Sequence, residues 1–322
     1  MRRAVVETKL VRNERRPFSF AVQAAPAKHP RDWVSVARRA EALGYRALLV
    51  PDHQGSGGPI AAMAMAGAST TSLNVGSLVI AVDFHNPVTL IQELMTLGAM
   101  LDGRLELGLG AGWMVRDYER TGTLMASAAS RIDGLREFVG LLNAMWSGRP
   151  TTHNGVRYRC KDAVGAPSPI DPYPCLVLGG GGRRMVELAA EMASIVNLGA
   201  SMAGGDKGTP LGAGGMMEAF TRRVSWVRDV VKRRGISPEL QCLAYETCIT
   251  TNARAHTWRY ICDSFGLPPE DVLRSPLALV GTIDELCEKL VALRASLGIS
   301  YWVVKSPVMD DFAPVVTCLT GN

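Results

Sequence analysis

Two acid–imidazole pairs are the residues most able to do chemistry. Asp52 and His53 follow the apolar run Ala47-Leu48-Leu49-Val50, and Asp83 and His85 follow Val79-Ile80-Ala81-Val82. Imidazole moves a proton near neutral pH, and a neighbouring carboxylate fixes its tautomer or raises its basicity. Each pair sits where an apolar run ends, which in a strand–helix repeat is the end that carries catalysis. The plainer alternative for the first pair is an Asp capping a turn beside an exposed His. The four side chains together also raise a divalent metal as a rival. The chain has only five histidines, and His29, His153 and His256 fall on an early loop, a hairpin and a helical stretch, so the ligand set stays incomplete and no metal site is expected.

Glycines mark two further places. Arg104-Leu105-Glu106-Leu107-Gly108-Leu109-Gly110-Ala111-Gly112-Trp113 is a strand running into close-set glycines that let a ligand approach the backbone. A dinucleotide fingerprint needs its third glycine one residue later and an acid closing the next strand; Asp133 has the spacing but lies in a helical pattern, so that reading fails. Leu176-Val177-Leu178-Gly179-Gly180-Gly181-Gly182-Arg183-Arg184 reads as a buried strand, a glycine turn and a helix start with two cations. Free amides at a helix start favour an anion, and Arg183 adds a bidentate contact, so this is a phosphate cradle in form. A plain flexible connection is the alternative.

The elements that must position these residues alternate. Strands are expected at residues 18–22, 47–50, 73–82, 104–109, 175–178, 194–198, 240–244 and 301–304, with helices at 32–43, 59–67, 87–101, 130–146, 183–192, 216–234 and 282–297. Alternation of this kind implies a parallel sheet with crossover helices, and eight strands close a barrel. Local signals agree: Gly44 ends a helix, Pro87 suits a first turn, and Thr282 with Glu285 forms a capping-box pattern. Three stretches exceed the repeat: 114–129, a hairpin at 151–159 turning at Asn154-Gly155, and the glycine-rich 201–215, read as a mobile loop over the mouth.

The expected fold is therefore α/β, a (β/α)8 TIM barrel with insertions at its C-terminal face, over residues 18–322 after an N-terminal arm at 1–17. With 47% hydrophobic residues the chain can bury one large core. The balance of 35 basic to 30 acidic residues lacks the dense stripes of a nucleic-acid binder. No apolar run is long enough to span a bilayer, and seven scattered cysteines without a Cys-x-x-Cys suit a reducing cytoplasm.

With these pieces in order, the sequence resembles the bacterial luciferase-like family, and within it the branch that uses the 8-hydroxy-5-deazaflavin coenzyme F420. The resemblance rests on Ala37-x-x-Ala40-Glu41-x-Leu43-Gly44-Tyr45, Asp52-His53, Gly76-Ser77-Leu78-Val79, Asp83-Phe84-His85-Asn86-Pro87, Gly103 to Trp113, Gly179 to Gly182, and Gly298-Ile299-Ser300-Tyr301. It implies a non-prolyl cis peptide at Leu78-Val79, on which the deazaflavin rests. It also implies that Gly110, Ala111 and Gly112 border the ring, and that Gly179, Gly180, Gly181 and Gly182 with Arg183 hold the phosphate. His53 is then the acid/base and Asp52 its orienting partner, with Trp113, Asp83 and His85 at the substrate pocket.

The sequence departs from relatives at three places. In the sugar-phosphate dehydrogenase branch a glutamate acid occupies the position of Trp113, so a sugar phosphate is not expected here and an aromatic pocket wall is. His85 stands where many relatives have arginine, and Ala99-Met100-Leu101-Asp102-Gly103 replaces a usual Leu-Asp-x-x-Ser-x-Gly. The expected function is hydride transfer between F420 and a small-molecule or natural-product substrate, by a homodimer. Two alternatives stay open: an FMN-dependent monooxygenase using molecular oxygen, fed by a reductase, and a catalytically silent flavin-binding protein.

Overall fold

The computed structural model describes residues 16–167, 172–200 and 211–322. Eight strands form the barrel: β1 (Ser19–Gln23), β2 (Ala47–Val50), β3 (Asn74–Ser77), β4 (Leu105–Gly110), β5 (Cys175–Gly180), β6 (Ile195–Leu198), β7 (Glu239–Leu243) and β8 (Ile299–Lys305). Each pairs in parallel with the next, and β8 returns to β1 with Ser19 opposite Tyr301 and Gln23 opposite Lys305, so the sheet closes. A parallel sheet covered on both faces needs strands that are apolar throughout. β2 is apolar and buried at every position, and β4 is buried throughout as well, with Glu106 its one charged residue.

The covering helices are α1 (Pro30–Ala42), α2 (Pro59–Ala68), α3 (Pro87–Met100), α4 (Ala128–Trp146), α5 (Arg183–Met192), α6 (Met217–Arg234), α7 (Ile283–Leu297) and α8 (Met309–Leu319). Their starts follow local chemistry. Asn86 accepts from the amides of Val88 and Thr89 ahead of Pro87, and Thr282 and Glu285 exchange both capping-box bonds. Phe20, Val22, Leu48 and Val50 point outward into the helix layer, whereas Ala21, Ala47, Leu49, Val177, Ile195, Tyr301 and Val303 fill the lumen.

The foot of the lumen is polar, and its charged groups pair with one another. Glu106, 0% exposed, accepts from Arg46 Nε at 2.7 Å, Tyr301 Oη at 2.8 Å and Asn74 Nδ2 at 3.0 Å, while Arg46 Nη1 reaches Glu239 at 2.8 Å. This plug closes the N-terminal end and leaves the C-terminal end as the open one.

Two expectations need correction, and two features were not foreseen. The third strand does not run unbroken over 73–82. Pairing stops after Ser77, the Leu78-Val79 peptide is cis, and Ile80–Ala81 resumes the ladder against β4. The Leu78 carbonyl instead accepts from Gln23 Nε2 at 2.8 Å. The hairpin strands are Thr151–Asn154 and Arg159–Ala163, because Glu137 of α4 takes the amides of Arg157 and Tyr158 out of the ladder. Between β7 and β8, Glu246–Ile249 and Ala278–Gly281 form a separate parallel pair, with three short helices between them. Helix α8, which contains Pro314, was not expected. Of the two segments expected to be loose, residues 1–15 and 201–210 lie outside the described residues, and Gly212–Gly215 is a short 3-10 turn.

Among the described residues no helix is long and apolar enough to cross a membrane.

Candidate active site

The open end gathers the loops that follow β2, β3, β4 and β5. Immediately after β2, His53 turns its Nδ1 toward Asp117 Oδ2, 2.7 Å away. Asp117 belongs to the short helix Val115–Thr121 in the β4–α4 insertion, and its other oxygen accepts from the Gln54 amide at 3.2 Å. Its side chain is 4% exposed against 22% for His53. A carboxylate at Nδ1 fixes that nitrogen as the proton-bearing one and leaves Nε2 as the base. His53 Nε2 has no partner among the described residues. Trp113 stands edge-on to the His53 ring, centroids 5.9 Å apart, and forms one wall.

Asp52 is not the partner of His53, as the sequence suggested. Adjacent side chains at a strand end diverge, and Asp52 instead accepts from the Ala81 amide at 3.2 Å and pairs with His85 Nε2 at 3.3 Å. It braces the segment after the kink. Asp83 is also displaced from its expected place in the pocket: the 3-10 turn Val82–Phe84 rotates it away, and its carboxylate is 1% exposed. There it pairs with Arg157 of the hairpin and accepts from Tyr118 Oη at 2.9 Å. Burial first, and then the bond to Asp83, push the Tyr118 hydroxyl well above its ordinary range.

The glycines of β4 are there for close approach. A Cβ on Gly108 would lie 2.0 Å from the Ser77 carbonyl oxygen, and one on Gly110 would lie 2.5 Å from Val79 Cγ2. The kinked segment Leu78-Val79 thus packs directly on Gly108 and Gly110 and, with Ala111, forms a ledge at the end of β4. Gly112, at φ +72°, turns the chain so that Trp113 meets His53, and a Cβ there would strike Tyr118 Oη.

On the other side of the mouth, β5 ends in Gly179 and Gly180, and Gly182 starts α5 with no side-chain cap. The first-turn amides of α5 are therefore available to an anion. Arg183 does not reach back to them. It is 68% exposed, with Nε on Glu187 at 2.9 Å, one turn further along the helix.

Among the described residues no cluster of three His, Cys, Asp or Glu side chains is placed to hold a metal ion. A surface groove of about 510 Å³, lined by Asn252, Trp258, Pro268 and Glu270 among others, lies on the β7–β8 insertion, away from His53 and Asp117 in the sequence. Sequence reasoning missed Asp117, four residues beyond Trp113; an acid in the first turn of a helix was the available signal.

Comparison with known proteins bears on the fold and the family. The F420-dependent glucose-6-phosphate dehydrogenase of Intrasporangium calvum is 32% identical over 163 residues, 47% of this chain and 49% of that protein. That of Microbacterium testaceum is 27% identical over 187 residues, 55% of each. The chain spans about half the length of the curated relatives it matches. Among solved structures, an F420-dependent secondary alcohol dehydrogenase in complex with an F420-acetone adduct superimposes with a TM-score of 0.76 at 17% identity, over 94% of this chain and 99% of that one. The coenzyme F420 dependent tetrahydromethanopterin reductase from Methanopyrus kandleri gives 0.75 at 16% identity, over 95% and 99%. These likenesses show the barrel fold. The sequence model of the luciferase-like monooxygenase family matches residues 16–207 of the 322, more than half of the chain. The chain belongs to the luciferase-like monooxygenase family.

Proposed function

We propose that the chain is an oxidoreductase exchanging a hydride between coenzyme F420 and an organic substrate at the C-terminal mouth of the barrel. The observation that carries the reading is His53, fixed by Asp117 through Nδ1 with Nε2 unpartnered among the described residues, at the same end of the barrel as the kinked Leu78-Val79 segment. The relatives named for F420 dependence support the choice of coenzyme.

The residues present fit such a group. The ledge lacks Cβ atoms at Gly108 and Gly110, where they would crowd the kinked segment, and suits a flat ring. The uncapped start of α5 suits a phosphate. When bound, the deazaflavin supplies the carbon that accepts or returns the hydride. His53 Nε2 takes the substrate hydroxyl proton or gives it back, and Asp117 stabilises the imidazolium that forms in between. Trp113 excludes water from that proton path. Asp52 and His85 hold the backbone at Ala81 in place.

Because the family resemblance sets Trp113 where the sugar-phosphate dehydrogenase branch carries a glutamate, the substrate of this reading is a less polar alcohol or carbonyl compound. A homodimer working in the cytoplasm belongs to the same reading and rests on the resemblance. The test is a panel of alcohols with oxidised F420, following loss of the oxidised chromophore, beside reduced FMN, following oxygen uptake. Bleaching of F420 supports the proposal. Oxygen consumption with FMN and none of the former replaces it with a monooxygenase supplied by a reductase.

A further inference from the structure

With Arg183 turned away, the glycine turn lacks the cation expected of it, yet another arginine is built into the same place. Arg223 of α6 is 3% exposed. Its Nε donates to the Gly181 carbonyl at 3.1 Å and its Nη2 to the Gly214 carbonyl at 2.9 Å, so two separate loops fix the plane of the guanidinium. The Phe220 ring backs it, 4.9 Å from the guanidinium carbon. The remaining nitrogen, Nη1, is buried without a hydrogen-bond partner.

A buried cation normally has a counter-charge, because its desolvation costs several kcal/mol. Arg223 has none among the described residues. Burial lowers its pKa, the groups that favour its charge are the Cys242 thiol and the Tyr245 hydroxyl, and Arg222 adds repulsion. The missing partner has room. A cleft of about 220 Å³ lies against Arg223, lined also by Gly181, Ala213, Gly214, Arg222 and Trp226. It adjoins the uncapped first turn of α5, whose amides and dipole attract negative charge.

We propose that Arg223, with Arg222 at the rim and the first-turn amides of α5, forms a phosphate-ester site, and that Arg223 rather than Arg183 is its cation. The naming of the ligand as the phosphate arm of the coenzyme rests on the function proposed above; the anion site itself does not. Arg223 acts here as a positioning residue. It places the arm so that the attached ring falls on the Leu78-Val79 ledge.

The first probe is inorganic phosphate, titrated calorimetrically into the wild-type protein, Arg223→Met, Arg183→Ala and Gly182→Asp. Arg223→Met weakens binding about 10- to 100-fold, the loss of a charge-assisted hydrogen bond. Arg183→Ala changes it less than about twofold, as expected for an exposed group. Gly182→Asp keeps the problem testable if Arg223→Met fails to fold. A Cβ at Gly182 meets nothing within 4 Å, its φ is −89°, and an Asp there caps α5, so the variant should melt no lower than wild type while losing phosphate. Wild-type phosphate binding in a folded Arg223→Met, full binding by Gly182→Asp, or equal loss in Arg183→Ala overturns the proposal.

The second probe is the deazaflavin with and without its phosphate arm. Arg223→Met should lower affinity for the first and leave the second unchanged; equal loss of both overturns the positioning role. Phosphate binding as described with no deazaflavin binding at all leaves the anion site standing and removes the proposed function instead.

Discussion

His53 Nδ1 and Asp117 Oδ2 lie 2.7 Å apart across 64 residues of sequence, joining the end of β2 to a helix inserted after β4. The same carboxylate binds the Gln54 backbone amide, so it sets the path of the His53 loop as well as the ring. Replacing His53 by Ala should lower turnover by about 10²- to 10⁴-fold, the range for a general acid–base group. Asp117→Asn keeps the acceptor for Gln54 but no longer stabilises the imidazolium, and should lower kcat by at least about tenfold with KM nearly unchanged. Steady-state kinetics with any accepted substrate checks both. A rise in KM at constant kcat for Asp117→Asn would mean that the pair only shapes the loop.

Arg157 anchors the hairpin to the barrel through Asp83, whose carboxylate is 1% exposed. Removing the cation leaves that charge buried with Tyr118 alone. Arg157→Met should therefore cost about 3 kcal/mol, as for a broken buried pair, and free the hairpin. Urea unfolding reads the first effect and limited proteolysis near Gly155 the second. A wild-type midpoint together with an uncut hairpin would show that the hairpin is held by Glu137 instead.

Glu41 governs part of the acid stability. Partial burial alone would raise its pKa, but the amides of Ser72, Leu73 and Thr71 reverse that and hold it at about 2, below its ordinary 4.5. Those amides donate at 2.6, 3.0 and 2.8 Å. With the folded value depressed, the unfolded chain binds the proton more readily, so the contribution is complete above about pH 4.5 and is lost as pH falls toward 2. Glu41→Gln should flatten the melting temperature against pH across that window and lower it at neutral pH. Parallel wild-type and variant curves between pH 5 and 2.5 would contradict this.

How much could be read beforehand follows from where each signal resides. The eight barrel strands were legible because a doubly covered parallel strand is an apolar run, as Ala47-Leu48-Leu49-Val50 is, and the first-turn Pro87 and the Thr282–Glu285 pattern announced their helices. The position of His53 was legible too, since it needs only the end of a strand. Its partner was not, because Asp117 lies on a seven-residue helix too short to show a period. Arg223 was hidden for another reason. It sits among Arg222, Arg228, Lys232, Arg233 and Arg234 on α6, a pattern that reads as a solvated face until the fold buries one member. The pair Glu246–Ile249 and Ala278–Gly281 was missed because it stands outside the barrel repeat.

The proposed function needs a flat ring to rest against Leu78 and Val79, and a Cβ at Gly110 would lie 2.5 Å from Val79 Cγ2 and displace that segment. Titrating oxidised F420 into wild-type and Gly110→Ala protein, followed by quenching of its fluorescence, tests that directly. Saturable binding by wild type, weakened about 5- to 100-fold by the added methyl group as expected of overpacking, with phosphate binding retained, is the predicted result. Equal affinity for both proteins, or saturation by FMN and none by F420, would contradict it.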